Sequence, residues 1–268
     1  MIVTRQLKSF SGVAGGQTAT LDCQIGPSYH QILVNYAGVT LAQMTAIRVI
    51  ANGVAIHRYL SGTQLDAHNQ HQGRAAANGI LVIDFERFGL KTRGATDVTK
   101  LGTGAPYDAK NNPTPITTLS VEIDIAAAAT SPVLSAKAVQ SGSAPTGLIK
   151  KIKQFTPQAG AIGELQIADL PRGDLINQIR FESASVNSCK ILTNNVEVFT
   201  RTKAENDLMQ SDGVRTPVAG SFVFDLTEAG YGGEGLVTRG LNDLRINLDM
   251  AAAGNVPTMV EYIGGLNG

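Results

Sequence analysis

Short stretches in which apolar and polar residues alternate follow one another along the chain. In Leu119–Ile125 and Leu244–Met250, for example, every second residue is apolar. Alternation with a period of two places one row of side chains on a buried face, which is typical of a β-strand in a sandwich. The stretches are punctuated by 29 glycines and 10 prolines, as turns require. The pattern therefore predicts an all-β protein.

Two of these stretches contain a pair of turn-forming residues at their centre. The dipeptide Asn-Gly interrupts Arg48–Ile56, and Asn-Asn interrupts Lys190–Val198. Asparagine and glycine adopt a positive φ at little cost, and a two-residue type I′ turn needs a positive φ at both positions. Each segment is therefore predicted to form a β-hairpin.

The hairpins belong to an internal repeat that runs through the chain. Segments of matching pattern occur in the same order in both halves, at an offset that falls from 145 (155 minus 10) to 125 (244 minus 119). The matched pairs are Arg5–Phe10 with Lys150–Phe155, Arg48–Ile56 with Lys190–Val198, Ile83–Phe85 with Phe224–Leu226, and Leu119–Ala128 with Leu244–Ala253. One fold has been duplicated, and the sequence predicts two tandem domains.

The repeat also sets the expected domain boundaries. We predict a first domain at 1–138, a linker at 139–149 and a second domain at 150–268. Small and polar residues with glycine and proline fill 135–146, as is usual between domains. The first half has 16 more residues (141 minus 125) within 87–116, where glycine and proline accumulate. We expect that segment to be a long surface loop.

A polar segment follows the hairpin in each half, at Gln64–Gln72 and at Lys203–Gln210. Neither alternates, and each is predicted to be a short helix between strands. An eight-stranded jelly roll hides its strand edges and carries long loops at one end, which suits each half. Periodicity alone does not separate it from other Greek-key sandwiches. The predicted fold is all-β, with two tandem eight-stranded jelly rolls and short helices in loops.

Charge and cysteine content narrow the function classes. The 22 basic residues balance the 22 acidic ones, so no overall positive field exists to hold nucleic acid. Cys23 and Cys189 match no metal or redox spacing and are expected to be small apolar fillers. The opening residues do not resemble a secretory signal, and we expect the protein to be made and folded in the cytoplasm.

Several segments, in order along the chain, resemble one known family. They are Ile25–Tyr29, Tyr36–Thr40, Leu134–Ala136, Ser143–Pro145, Ile167–Arg172, Lys203–Asp207 and Val260–Gly264. Together they resemble the major capsid proteins of corticoviruses, lipid-containing icosahedral phages of marine bacteria, in the double jelly-roll family. No segment is a catalytic motif, so the resemblance rests on collinearity. It is weakest in the loop at 87–116 and in the last residues.

The resemblance implies a structural protein of the virion and not an enzyme. Such proteins form trimers of pseudo-hexagonal outline that tile a shell around an internal membrane. The implied partners are other copies of the chain, neighbouring capsomers, and other capsid or membrane proteins, without sequence-specific binding of nucleic acid. Structural calcium is also implied, but the acids here form no Asp-x-Asp-x-Asp-Gly loop and no ligand is assigned.

Five basic residues stand out, two near the start of the first half and three near the start of the second. They are Arg5, Lys8, Lys150, Lys151 and Lys153, and the repeat places them at equivalent ends of the two domains. We expect them to share one face. That face either points inward to anionic lipid head groups or a membrane protein, where each residue adds roughly 1 kcal/mol, or forms a solvated rim.

Two other functions use the same fold. A cupin-like metalloenzyme needs a His-x-His pair, which is absent, and the four histidines, His30, His57, His68 and His71, are expected to be exposed polar residues. A carbohydrate-binding or adhesin module needs exposed aromatic residues, yet the chain has no Trp and only six Tyr.

The sequence contains few other candidates for functional residues. Asp124 and Asp249 recur at matching positions where an alternating strand ends. They are expected to accept backbone hydrogen bonds or to cap the following turn. No Gly-x-Ser-x-Gly motif is present, and the sequence predicts no catalytic and no cofactor-binding residues.

Overall fold

The computed structural model describes residues 1–105, 115–232 and 235–266. Nine strands lie in the first half of these residues. They are β1 (Val3–Gln6), β2 (Thr18–Asp22), β3 (Ser28–Ala37), β4 (Met44–Ala51), β5 (Val54–Tyr59), β6 (Ile80–Asp84), β7 (Leu101–Gly102), β8 (Leu119–Ile125) and β9 (Val133–Ser141). Helices α1 (Gly62–His71) and α2 (Arg93–Asp97) and a 3₁₀ turn (Leu41–Gln43) connect them.

The second half is built in the same way around one helix, α3 (Lys203–Gln210). Its strands are β10 (Ile149–Phe155), β11 (Gln158–Ala159), β12 (Gly163–Ile167), β13 (Leu175–Phe181), β14 (Val186–Thr193), β15 (Val196–Thr202), β16 (Phe222–Asp225), β17 (Leu236–Val237), β18 (Leu244–Met250), β19 (Gly254–Asn255) and β20 (Thr258–Gly264).

Eight strands of the first half form two four-stranded layers around one core. One layer has the order β1-β9-β3-β6 and the other β2-β8-β4-β5, while the short β7 pairs with the start of β3. Ile32 and Val34 of β3 and Val121 and Ile123 of β8 are fully buried in the shared core. This is the predicted jelly roll, produced by the alternation of apolar residues along each strand.

The second half repeats that arrangement. Its layers have the orders β10-β20-β13-β16 and β12-β18-β14-β15, with β17 added to β13 and a small β11-β19 pair. Ile179 and Phe181 of β13 pack with Ile246 and Leu248 of β18 in a separate core. The predicted fold class, two tandem eight-stranded jelly rolls, is confirmed.

The two jelly rolls share one sheet. The edge strand β5 of the first pairs in parallel with the edge strand β10 of the second, at His57 and Ile152. The layer β2-β8-β4-β5 therefore continues into β10-β20-β13-β16 without a break. Ile152 also packs in the core of the first jelly roll, together with Ile149 and Met259. Main-chain hydrogen bonding and apolar packing thus join the halves.

The repeat is confirmed in its hairpins. Asn52 and Gly53 have φ of 50° and 78°, and Asn194 and Asn195 have φ of 48° and 64°. Both pairs thus have the positive φ of the predicted type I′ turn. Strand register agrees with the offset of 125 as well, since β4 and β14 pair with equivalent residues of β8 and β18.

The predicted helices are confirmed too. Ser61 accepts a hydrogen bond from the backbone of Gln64 at the start of α1, and Thr202 accepts one from Glu205 at the start of α3. Each hydroxyl satisfies an amide that the first turn of a helix leaves without a partner. The two N-caps occupy equivalent positions in the halves.

Strand register corrects the match at the start of the halves. β3 and β13 carry a bulge after Tyr29 and after Ile176, and these two residues face Gln140 of β9 and Tyr262 of β20. Gln140 in turn pairs with Val3, and Tyr262 pairs with Lys151. The offset here is therefore 148 (151 minus 3) and not 145. A short segment of alternating basic and apolar residues in one half can be matched to the other half at more than one offset. Only the strand register identifies the correct offset.

With that register, Arg5 corresponds to Lys153 and Leu7 to Phe155, and both apolar residues pack against the core of their own half. Lys8 corresponds to Thr156 and has no basic counterpart. The predicted match between the two groups of basic residues is wrong in detail.

Two boundaries also differ from prediction. Strand β9 runs to Ser141 and β10 begins at Ile149, so the connection is 142–148, shorter than 139–149. The buried positions near the end of β9 are Ala136, Ala138 and Gln140, which are small or polar, so the apolar alternation is weak there. The loop at 87–116 is not wholly at the surface, because Thr99, Leu101 and Thr103 are buried where β7 joins β3. Positions 106–114 lie outside the described residues.

Gly38 should not tolerate a side chain. Its φ is +66°, and an added Cβ would lie 2.2 Å from the carbonyl oxygen of Ser131. We expect Gly38→Ala to lower the free energy of unfolding by about 2–3 kcal/mol, measured by urea denaturation. Gly94→Ala, in α2 with open space around the new methyl group, is the matched control and should be neutral or slightly stabilising. Equal stability of the two variants would contradict this account.

Candidate functional sites

One face of α1 is turned towards the second jelly roll. Gln64, His68 and His71 are spaced at i, i+4 and i+7, so they lie on the same side of the helix. All three are buried. The helix thus supplies the first jelly roll with a polar contact surface beside the β5–β10 strand pair.

This surface makes paired contacts with the second half. The Gln64 and Gln154 side-chain amides donate to each other's carbonyl oxygens at 3.2 and 3.0 Å, and Gln64 Nε2 also donates to Glu182 Oε2 at 3.0 Å. His68 Nε2 lies 3.5 Å from Glu261 Oε2. A buried contact of this kind fixes the orientation of its partners, because a displaced polar group would lose its hydrogen bond.

Glu261 is a buried carboxylate at the centre of the interface. Asn177 Nδ2 donates to its Oε1 at 2.6 Å, and the Lys150 ammonium, which donates to the Glu86 carbonyl at 3.0 Å, lies nearby. Burial would raise the pKa of Glu261, but the Lys150 charge and the His68 contact outweigh it and hold the pKa at about 2. The residue is therefore ionised at neutral pH.

Asp225, at the end of β16, is a second buried carboxylate. It accepts from Arg215 Nε at 2.9 Å, from His71 Nε2 at 3.2 Å and from the backbone N–H of Thr227 at 2.7 Å. Burial opposes ionisation, yet the His71 hydrogen bond and the Arg215 charge lower the pKa of Asp225 below its usual value. Because His71 belongs to α1, this carboxylate also links the two jelly rolls.

His57 lies directly at the strand pair between the jelly rolls. Its Nε2 donates to the Lys150 carbonyl at 3.1 Å, Nδ1 has no partner, and the ring packs against Phe85 and Tyr59. Burial and the Lys150 charge lower the pKa of His57 to about 3. The imidazole is therefore neutral in the folded protein.

The expectation that the histidines are exposed is wrong, since all four are buried: His30, His57, His68 and His71. Three of them lie between the jelly rolls. The hydrophobic pattern of a single strand or helix does not reveal that another domain covers one of its polar faces. A signal was present nevertheless, because Glu261 and Asp225 each follow apolar residues within a strand, where an isolated charge usually has a buried partner.

The basic residues do not all lie on one exposed face. Arg5 and Lys8 are exposed, and Lys153 is half-buried with its ammonium 5.3 Å from the centre of the Tyr262 ring. Lys150 and Lys151 are buried, contrary to expectation.

Lys151 contacts a carboxylate within the second jelly roll. Its Nζ lies 2.5 Å from Asp174 Oδ2 and donates to the Gly265 carbonyl at 2.8 Å. Lys150 and Lys151 thus serve the internal packing of the chain, because β10 is covered by the first jelly roll on one side and by its own core on the other.

The matched acids make side-chain contacts and cap no turn. Asp124, within β8, accepts two hydrogen bonds from the Arg48 guanidinium at 2.8 Å and one from the Thr18 hydroxyl at 2.7 Å. Asp249 accepts from Asn187 Nδ2 at 3.0 Å. Both acids lie one residue before the end of a strand, so neighbouring strands provide their partners.

A group of potential metal ligands lies beside β9. Ligand atoms of His30, Glu86 and Asp97 lie within 4.8 Å of one another. His30 contacts Glu86 through Nδ1 and the Ser141 hydroxyl through Nε2, and Asp97 accepts from Arg93 Nε at 2.9 Å. Calcium takes six to eight oxygen ligands, which this group does not supply. The predicted calcium therefore has no assigned ligands.

Two smaller expectations concern cysteine and aromatic residues. Cys23 and Cys189 are buried, one in each core, as predicted, and burial raises the pKa of the Cys23 thiol to about 12. Among the tyrosines that the structure describes, only Tyr231 is largely exposed. No described helix is long and apolar enough to cross a bilayer.

Comparison with known proteins then decides the family. The family described as viral coat protein P2 N-terminal domain matches residues 4–141, and the corresponding C-terminal domain matches 149–266. The chain belongs to the viral coat protein P2 family. These limits agree with the end of β9 and the start of β10, and they support the shorter connection between the jelly rolls.

Individual relatives agree with this assignment. The chain is 28% identical to the major capsid protein P2 of Pseudoalteromonas phage PM2 over 96% of its length and 95% of the relative's. The crystal structure of the PM2 protein superposes with a TM-score of 0.90 at 25% identity, covering 99% and 98% of the two chains. A chain in the atomic structure of Sulfolobus Turreted Icosahedral Virus shares the fold, with a TM-score of 0.68 at 11% identity over 99% and 91% of the two chains.

The function class follows from the family. This viral coat protein is a structural component of the phage capsid, located in the virion, and not an enzyme. The resemblance to corticovirus capsid proteins is confirmed. The sugar-binding module and the cupin-like enzyme are not favoured.

Acid should weaken the contact between the jelly rolls. The unfolded chain binds a proton at His57 below pH 6.5, whereas the folded chain does not until about pH 3, so stability falls as the pH is lowered through this window. Glu261 adds a loss between pH 4.5 and about 2. The variant His57→Phe introduces phenylalanine, the residue at the equivalent position 199. We expect it to reduce the loss of stability between pH 6.5 and about 3.

Urea denaturation from pH 7 to 3 measures this effect, for which one proton gives a slope of at most about 1.4 kcal/mol per pH unit. Lys137→Met, at an exposed position of β9, is the control and should leave the slope unchanged. A slope that His57→Phe does not alter would show that His57 is not the titrating group.

Proposed function

We propose that three copies of this coat protein assemble into a capsomer of pseudo-hexagonal outline, and that these capsomers tile an icosahedral shell around an internal lipid membrane. The observation that carries the proposal is the joining of two similar jelly rolls by one continuous sheet. Three such chains present six similar sandwiches around an axis, so they fill a near-hexagonal lattice site.

The partners follow from that arrangement. Each chain contacts two others within its capsomer, and capsomers contact one another across the shell. Other capsid or membrane proteins of the virion complete the set. Stable contacts between folded chains usually bury more than about 1,000 Å². Exposed apolar residues on both jelly rolls, such as Val133 and Val198, are available for such contacts.

The basic residues that stay accessible support a contact with lipid. Arg5 and Lys153 occupy equivalent positions in the two jelly rolls, and Lys8 lies close to Arg5 along the chain. In a trimer they recur around the ring at one level. We propose that this level faces anionic head groups, with roughly 1 kcal/mol gained for each basic residue near the surface.

The trimer is tested by the mass of the purified protein, using light scattering coupled to size exclusion. We expect one species at three times 28.1 kDa. Removing calcium with a chelator should reduce the amount of that species if the predicted structural calcium joins copies. A monomer over the whole accessible concentration range would overturn the trimer, and an unchanged trimer with the chelator would overturn the role of calcium.

The lipid contact is tested with trimers and vesicles of anionic lipid at low salt. We expect the wild type to bind and Arg5→Gln/Lys8→Gln/Lys153→Gln to bind at least about tenfold more weakly, since three charges per chain are lost. Binding should also fall as the salt concentration rises.

A matched control removes the same number of charges elsewhere on the surface. Arg58, Lys137 and Arg239 are exposed, and Arg58→Gln/Lys137→Gln/Arg239→Gln should keep the binding of the wild type. Equal loss in both triple variants would indicate a general charge effect and contradict a specific lipid-facing level.

A further inference from the structure

Three side chains of types that bind metal ions converge at one end of the first jelly roll. Ligand atoms of His30, Glu86 and Asp97 lie within 4.8 Å of one another, and the first two residues are buried. No other set of three histidine, cysteine or carboxylate side chains meets in this way among the residues that the structure describes. The side chains that they contact all belong to the first jelly roll.

The main chain holds these residues in place from three separate segments. His30 lies near the start of β3, and its carbonyl accepts from the backbone N–H of Phe85, the residue before Glu86. The backbone N–H of Arg87, on the other side of Glu86, donates to the Thr96 carbonyl in α2, the helix that carries the third ligand. The ligands are therefore positioned before an ion arrives, which lowers the entropy cost of binding.

The group contains an acceptor that no protein donor satisfies. Asp97 Oδ2 accepts from Arg93 Nε at 2.9 Å, but Asp97 Oδ1 is buried and receives no hydrogen bond within the described residues. The Glu86 carboxylate contacts His30 Nδ1. A buried oxygen without a donor, in a group that holds a second carboxylate, is costly unless a cation lies between them.

Ser141, at the end of β9, orients the imidazole. Its hydroxyl lies 2.8 Å from His30 Nε2. When Nε2 carries the ring proton and donates it to the hydroxyl, the lone pair of Nδ1 faces the Glu86 carboxylate. Histidines that bind metal ions have this arrangement, in which a hydrogen bond from the second nitrogen fixes the tautomer and the direction of the ring.

Space for a further ligand lies beside the group. A cavity of about 410 Å³ is lined by His30, Asp97 and Ser141, together with Arg93 and Lys100. Such a cavity holds water molecules. An ion bound by three protein side chains would therefore keep an open position for water.

The second jelly roll shows that the fold does not require these residues. The backbone hydrogen bond that His30 accepts recurs in the second half, where Asn177 accepts from Leu226. Asn177 is therefore the counterpart of His30, and Thr227 is the counterpart of Glu86. An amide and a hydroxyl thus replace an imidazole and a carboxylate. The third ligand lies in α2, within the longer connection that only the first half has.

We propose that His30, Glu86 and Asp97 bind one zinc ion, which holds the long connection after β6 against the start of β3. One imidazole nitrogen and two carboxylate oxygens form a donor set that zinc accepts, with water as the fourth ligand. Calcium takes six to eight oxygen ligands and does not fit this set. All three side chains belong to one chain, so the inference is independent of how copies assemble.

The zinc content of the purified protein tests the site directly. Untagged protein is treated with a chelator and dialysed against Zn²⁺, and we expect elemental mass spectrometry to find one zinc ion per chain. His30→Asn and Glu86→Thr introduce the residues that the same fold carries at the equivalent positions. Each removes one ligand and should weaken zinc binding at least about a hundredfold.

Two further variants serve as controls. Asp249→Asn removes an exposed carboxylate of the second jelly roll and should bind zinc as the wild type does. Ser141→Ala keeps all three ligands and removes only the hydroxyl that orients His30. It should weaken zinc binding about tenfold, which is the effect of losing an orienting group and not a ligand.

Proteolysis shows where the ion acts. Lys91 and Arg93 are exposed and lie in the connection between Glu86 and Asp97. At a Zn²⁺ concentration ten times the Kd, we expect tryptic cleavage after these two residues to slow about tenfold, because zinc binds only the closed connection. Zinc should leave the cleavage rate of His30→Asn unchanged.

The outcomes decide between zinc, calcium and no ion. A wild type without bound zinc, or an equal zinc content in the wild type and His30→Asn, would overturn the proposal. Displacement of zinc by an equal concentration of calcium would overturn the assignment to zinc. One zinc ion per chain that is lost with His30→Asn and Glu86→Thr and kept with Asp249→Asn supports the site. If the ligand variants fail to fold, the tenfold loss expected for Ser141→Ala decides, and unchanged binding in that variant overturns the proposal.

Discussion

The parallel pairing of β5 with β10 is the contact on which the arrangement of the whole chain depends. It joins one layer of each jelly roll into a single sheet, and the polar face of α1 closes over it. Because Glu261 is ionised and buried there, separation of the halves would remove its contact with His68, while Asn177 and Lys150 would stay with it in the second half. The charges therefore set the relative position of the two domains more than they add stability, and apolar packing by Ile152 and Met259 supplies the attraction.

Much of the fold could be predicted from the sequence, because the pattern occurs twice and each half can be checked against the other. The hairpin turns at positions 52–53 and 194–195, the helices α1 and α3 and the offset of 125 at β8 and β18 were all predicted correctly. Those features depend on local periodicity and turn chemistry. The end of β9 was missed because its buried positions, Ala138 and Gln140, are small or polar. The first offset was wrong because a short basic motif matches at several registers.

The interface was beyond local reasoning. Lys150, His57, His68 and His71 are polar residues whose burial results from a second domain, and no periodicity within one strand reports that. The same limit explains why five basic residues were predicted to be accessible, although only Arg5 and Lys8 are exposed and Lys153 is half-buried. Comparing the halves position by position recovers part of the lost information, since a residue buried in one copy of the fold and exposed in the other marks a surface that only one copy has covered.

The longer connection between β6 and β8 of the first jelly roll has a consequence for symmetry. Only one half of the chain carries its 16 additional residues. In the proposed ring of three chains it would occur at every second position, so the outline would approach sixfold symmetry while this connection would follow threefold symmetry. A molecule that docks on this connection would meet three sites in that ring, spaced 120° apart, where six identical subunits would offer six.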